Sequence, residues 1–71
     1  MTFYYGSKKL SLSEKDVERI FNFYITGNRN VAGKVLSEEH GISMYVAGCM
    51  VDEIVYEKSL AGIGLRGMEV L

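Results

Sequence analysis

Apolar positions recur along this chain at helical spacing in three blocks, separated by short polar segments. In the first block Val17, Ile20, Phe21, Tyr24 and Ile25 follow the i, i+3, i+4, i+7, i+8 order of one helix face, with Phe23 off it. Ser13 before the block is a side-chain acceptor suited to an N-cap. Glu14 and Asp16 place negative charge in the first turn, and Leu12 and Val17 have the spacing of a hydrophobic staple. Gly27 is the expected stop. A connector, Asn28-Arg29-Asn30, precedes a shorter stripe of Val31, Ala32, Val35 and Leu36, and Asn30 is read as its N-cap. Gly41 should end this helix in a left-handed C-cap, with Ser43 capping the next. The third block runs through Ala47, Met50, Val51, Ile54 and Val55, with Val46 and Cys49 widening its face and Lys58 in its last turn.

Outside these blocks the pattern changes. Thr2-Phe3-Tyr4-Tyr5 has strand propensity. Ser59 to Leu71 carries Gly62, Gly64 and Gly67 and is expected to be a Gly-rich loop or tail with a short strand, one that can pair with residues 2–5 within one chain or between two. The predicted architecture is therefore all-α: a three-helix bundle over 13–58, an N-terminal arm or short strand over 1–12, and a tail over 59–71, all in one domain.

Composition narrows the function classes. With 71 residues the chain has room for one small core, and such a domain buries roughly 60% of the surface its unfolded chain exposes. Cys49 is the single cysteine and His40 the single histidine, too few for an intrachain disulfide or a four-ligand zinc site. Association with a second copy or a protein partner is the remaining aid to stability, so a homodimer or a bound partner is expected. No apolar run spans a membrane and the start lacks a secretory pattern, which leads to an expected cytoplasmic location.

Charge is divided along the chain. Thr2 to Lys34 holds six basic residues against three acidic, and Val35 to Leu71 two basic against six acidic, so the balance is +3 and then −4. A polyanion would prefer the first half. The same pattern also suits an ordinary solvated surface.

The run Val35-Leu36-Ser37-Glu38-Glu39-His40-Gly41-Ile42-Ser43-Met44-Tyr45-Val46-Ala47 resembles the helix-turn-helix of bacterial and phage regulators. With the helix from Ser13 to Gly27 before it, the stretch from Ser13 to Lys58 resembles the homeodomain-like, three-helix version. Each element has a physical reason: the glycine turns the chain sharply, small Ser37 lets the helices approach, Ile42 plugs the corner, and Ala47 and Met50 pack the third helix on the second. The resemblance implies a DNA-binding regulator of phage or mobile-element type, working as a dimer. Its third helix would enter the major groove with Ser43, Met44, Tyr45 and Gly48 toward the bases, while Arg29, Asn30 and Lys34 hold phosphates and Lys8 and Lys9 form a basic arm. Two departures stand out. His40 occupies a commonly aliphatic position, and the third helix has no Arg or Lys before Lys58, although base readout relies on Arg, Lys, Asn or Gln. An alternative is a protein-interaction module or inhibitor that keeps this fold without binding DNA, motivated by the acidic, apolar third helix.

Other signals carry less. Gly62-Ile63-Gly64-Leu65-Arg66-Gly67 matches G-x-G-x-x-G but lacks the strand and βαβ unit of a dinucleotide site; Arg66 is at most one phosphate contact. Cys49 is read as a buried structural thiol, and His40 as a favourable helix C-terminal residue. Tyr4, Tyr5 and Phe23 suit core or dimer packing better than base stacking. No catalytic constellation and no cofactor site emerges, and the chain is not expected to be an enzyme.

Overall fold

A computed structural model describes the backbone of residues 1–70 and the side chains of residues 1–60. Two short strands precede three helices: β1 Thr2–Tyr5, β2 Lys8–Ser11, α1 Glu14–Thr26, α2 Arg29–His40 and α3 Met44–Val70. The N-terminal strand forms as expected from its aromatic residues, but its partner is β2, in an antiparallel hairpin with Phe3 opposite Leu10 and Tyr4 opposite Lys9. Gly6, with φ of 60°, opens the two-residue turn and supplies the positive φ that hairpin turns demand. Leu12 N–H donates to the Met1 carbonyl at 2.7 Å and extends the pairing toward α1. The second strand is thus an addition to the expected architecture, and among the described residues β1 pairs with β2 and not with the end of its own chain. From Ser59 onward the chain continues α3 to Val70 instead of forming a loop or strand. The side chain of Arg66 lies outside the described residues.

Alternation sends Phe3 into the core and leaves Tyr4 in solvent. Ser13 caps α1, its hydroxyl accepting from Asp16 N–H at 3.2 Å. Leu12 and Val17 both enter the core beside the cap. Gly27 ends α1 without a left-handed residue. A Cβ there would stand 3.0 Å from the Phe23 carbonyl and 3.2 Å from Val31, so the tight passage into α2 favours glycine. Ile25, expected on the inner face, is 60% exposed, and Phe23 packs against the core in its place. The N-cap of α2 is Asn28, whose side chain accepts from Val31 N–H at 2.9 Å, and not Asn30.

Ile20, Ala32, Leu36, Ala47, Val51 and Ile54 are fully buried where the three helices meet. Burial of apolar side chains of this size contributes roughly 1.5–3 kcal/mol each for Val, Leu or Ile, and is the main term holding so short a chain together.

Candidate functional site

The surface that concentrates the sequence-predicted residues is the outer side of α2, the turn after it, and the first three turns of α3. Gly41 takes φ of 63° and ψ of 36°, the left-handed conformation that glycine adopts without steric penalty. Its N–H donates to the Ser37 carbonyl. The Ile42 N–H donates to the same carbonyl at 3.3 Å, and the Ser37 hydroxyl donates back to the Ile42 carbonyl at 2.6 Å. Ser37 therefore ties the turn together. The residues that let the helices approach are Gly33, Ala47 and Gly48: a Cβ on Gly33 would lie only 3.7 Å from the Gly48 nitrogen and 3.9 Å from the Ala47 carbonyl carbon. Ser43 then caps α3, its hydroxyl accepting from Val46 N–H at 3.2 Å.

The turn thus fixes which part of α3 stays exposed. Ser43, Met44 and Tyr45 are exposed at its start, Tyr45 at 81%. Met44 folds partly back over α2, its methyl 3.7 Å from the position of a Cβ on Gly33. Asn30 and Lys34 are exposed one turn apart on α2. Among the described residues Lys34 has no carboxylate partner, and neither have Lys8 and Lys9 on the hairpin. A shallow cleft of about 450 Å³ separates the hairpin turn, with Lys8, from Gly41, Ile42 and Ser43, so a hairpin lysine stands near the start of α3.

Two predicted residues are placed differently. Arg29, the first residue of α2, is held by Asp52 of α3 through two hydrogen bonds, Nε to Oδ1 at 2.8 Å and Nη2 to Oδ2 at 3.0 Å. This bidentate bond holds the Asp52 carboxyl below its ordinary pKa and the guanidinium above its own. Gly48, expected to face bases, is buried beneath that guanidinium. Cys49, expected to be buried, is exposed.

Sequence reasoning did not single out the coupling of Arg29, Gly48 and Asp52. The spacing of Gly48 and Asp52, one helical turn apart, was the available signal. What it lacked was the partner, which comes from another helix 23 residues away in sequence.

A second surface lies across α3. Phe3, Tyr4 and Tyr5 of the hairpin and Tyr45, Val46, Cys49, Met50 and Glu53 of α3 line a small apolar groove of about 190 Å³. No group of three or more His, Cys, Asp or Glu side chains among the described residues is arranged to hold a metal ion. No helix among the described residues is long and apolar enough to cross a membrane. Compared with protein-family models, with curated proteins and with solved structures, the chain matches none.

Proposed function

We propose that the chain is a small helix-turn-helix DNA-binding protein, a regulator of phage or mobile-element type, and not an enzyme. The observation that carries this reading is the left-handed Gly41 turn, bonded across by Ser37 and followed by the Ser43 cap, which leaves Ser43, Met44 and Tyr45 exposed across a cleft from Lys8. In this reading α3 enters the major groove. Ser43, Met44 and Tyr45 reach the base edges, with methionine and tyrosine suited to apolar contact with thymine methyls. Asn30 and Lys34 on α2, and Lys8 and Lys9 on the hairpin, meet the flanking phosphates. The acidic residues of α3 between Cys49 and Lys58, namely Asp52, Glu53 and Glu57, limit affinity, and pairing of two copies on adjacent half-sites would restore it.

A mobility shift of the purified full chain on duplex DNA tests this. If Lys8, Lys9 and Lys34 each neutralise a phosphate, affinity falls roughly 40-fold between about 50 and 200 mM salt for one bound copy. No binding at the lower salt rejects the proposal.

One feature favours a second reading, a protein-interaction module whose partner is another copy or a different protein. Tyr4 and Tyr45 are 77% and 81% exposed at the rim of the hairpin groove, and large exposed aromatics are characteristic of interfaces. Sedimentation of a monodisperse monomer that binds no apolar dye would count against it.

A further inference from the structure

Gly48 stands inside α3 with ordinary helical backbone, outside the left-handed region that glycine alone enters freely. Glycine is a poor helix former, so its presence there calls for a reason beyond the backbone. The reason lies above it. A Cβ on Gly48 would stand 2.7 Å from Nη2, 2.9 Å from Cζ and 3.1 Å from Nη1 of Arg29. Three nearly equal distances mean that the guanidinium lies across the helix, in the space a side chain would fill. Asp52, one turn further on, grips its Nε–Nη2 edge. One turn further along α2 the helices also run close, a Cβ on Gly33 standing 3.7 Å from the Gly48 nitrogen.

We propose that Arg29 is a further base-reading residue, carried by α2 but presented on the face of α3: its guanidinium, laid over Gly48 and oriented by Asp52, donates from its outer edge to O6 and N7 of a guanine in the major groove. This rests on the DNA-binding reading and accounts for a groove-facing helix with no cation of its own before Lys58. The hydrogen bonds to Asp52 use Nε and one N–H of Nη2, so among the described residues Nη1 and the outer N–H of Nη2 remain open. Those two form the fork that fits O6 and N7 together. A phosphate is the poorer ligand, because the carboxylate of Asp52 repels it, whereas a neutral base edge is indifferent to the pair's net charge. Holding the long side chain in place before binding also removes rotamer freedom that would otherwise be lost in the complex.

The test starts with the wild-type chain and a random-sequence duplex library at low salt. Affinity for the enriched duplex is then compared with copies in which each guanine in turn is 7-deazaguanine, which pairs normally but lacks the N7 acceptor. The wild type is expected to lose about fivefold or more at one guanine, the lower end of the discrimination a bidentate arginine gives. Arg29→Met should abolish the difference at that guanine alone. Gly48→Ala should do the same without loss of helix content or melting temperature, since its methyl displaces only the flexible end of Arg29. Full discrimination retained in both variants, or no guanine sensitive to the replacement, makes Arg29 an interhelical clamp and overturns this inference while DNA binding stands. Failure of the wild type to enrich any duplex or bind in a salt-sensitive way removes the DNA-binding reading itself, and this inference with it.

Discussion

Two arginine–carboxylate pairs join helices at opposite ends of α2, and they differ in what surrounds them. Arg19 of α1 reaches Glu39 near the end of α2 through one nitrogen, with Asp16 of its own helix 3.6 Å away. Arg29 at the start of α2 is held by both oxygens of Asp52 on α3. The side chains are about equally exposed, 42% and 41% in the first pair and 50% and 60% in the second. At such exposure each pair adds little to stability, because solvent screens the charges and both side chains lose freedom in pairing. Stability therefore does not distinguish them. The distinguishing mark is a glycine: Gly48 lies under Arg29, whereas no glycine among those described meets Arg19. Of two ion pairs with similar energetic weight, the one for which a helix has given up a side chain is the better candidate for function.

The two pairs should differ most in DNA binding. Arg29→Met should weaken binding to an enriched duplex by about 5- to 100-fold, the range of one bidentate base contact. Arg19→Met should leave it unchanged, and anisotropy titrations of both variants at the same salt would show it. If Arg19→Met weakens binding as much, the two pairs have the same role. A smaller effect concerns Gly48→Ala in urea denaturation. Alanine is a better helix former than glycine, and the exposed Arg29–Asp52 pair adds little stability to set against that gain. The variant should thus be as stable as the wild type or slightly more so. A loss of several kcal/mol would mean that the alanine methyl forces the helices apart. Smaller still, Arg19→Met and Arg29→Met should each lower the melting temperature by at most a few degrees, as expected for exposed ion pairs.

The smallest effect is on pH dependence. Hydrogen bonds from Arg29 and Arg19 hold the carboxyls of Asp52 and Glu39 below their ordinary pKa values. A carboxyl depressed in the folded state contributes stability that is full above its unfolded pKa and is lost as pH falls through the folded value. Stability attributable to the pairs should accordingly be constant from neutral pH down to the ordinary carboxylate range and fall below about pH 4. Thermal melts of the wild type and the Arg19→Met/Arg29→Met double variant should converge in that acid range. A difference that persists at full size there would show that the arginines stabilise through packing of their stems.

Much of the fold was legible because it rests on local signals. Ser13, Gly41 and Ser43 act through their own backbone neighbours, so their cap and turn roles follow from position alone. Strand β2 was not legible, since in Lys8-Lys9-Leu10-Ser11 only Leu10 turns inward and the rest is polar. Asn28 and Asn30 are equally good caps by type, and what separates them is conformation: Asn28 is extended and accepts from Val31 N–H, while Asn30 already lies inside α2. The glycines of residues 62–67 suggested a loop, yet the helix continues past them, a case of the surrounding helix overriding weak local propensity. Within the candidate site, the exposure of Ser43, Met44 and Tyr45 followed from periodicity. The burial of Gly48 did not, because what covers it is a side chain of α2.

The most direct measurement is a titration of isotope-labelled full chain with duplex DNA at low salt, followed through backbone amide and arginine Nε–H signals. Shifts should concentrate at Ser43, Met44, Gly48 and Asp52, at Asn30 and Lys34, and at the Nε–H of Arg29, with Phe3, Tyr4 and Tyr5 on the hairpin side of the groove and Cys49 on its α3 side little affected. Shifts confined to Phe3, Tyr4, Tyr5 and Cys49, or no shifts at all, would contradict the DNA-binding reading and make the aromatic groove the working surface of the protein.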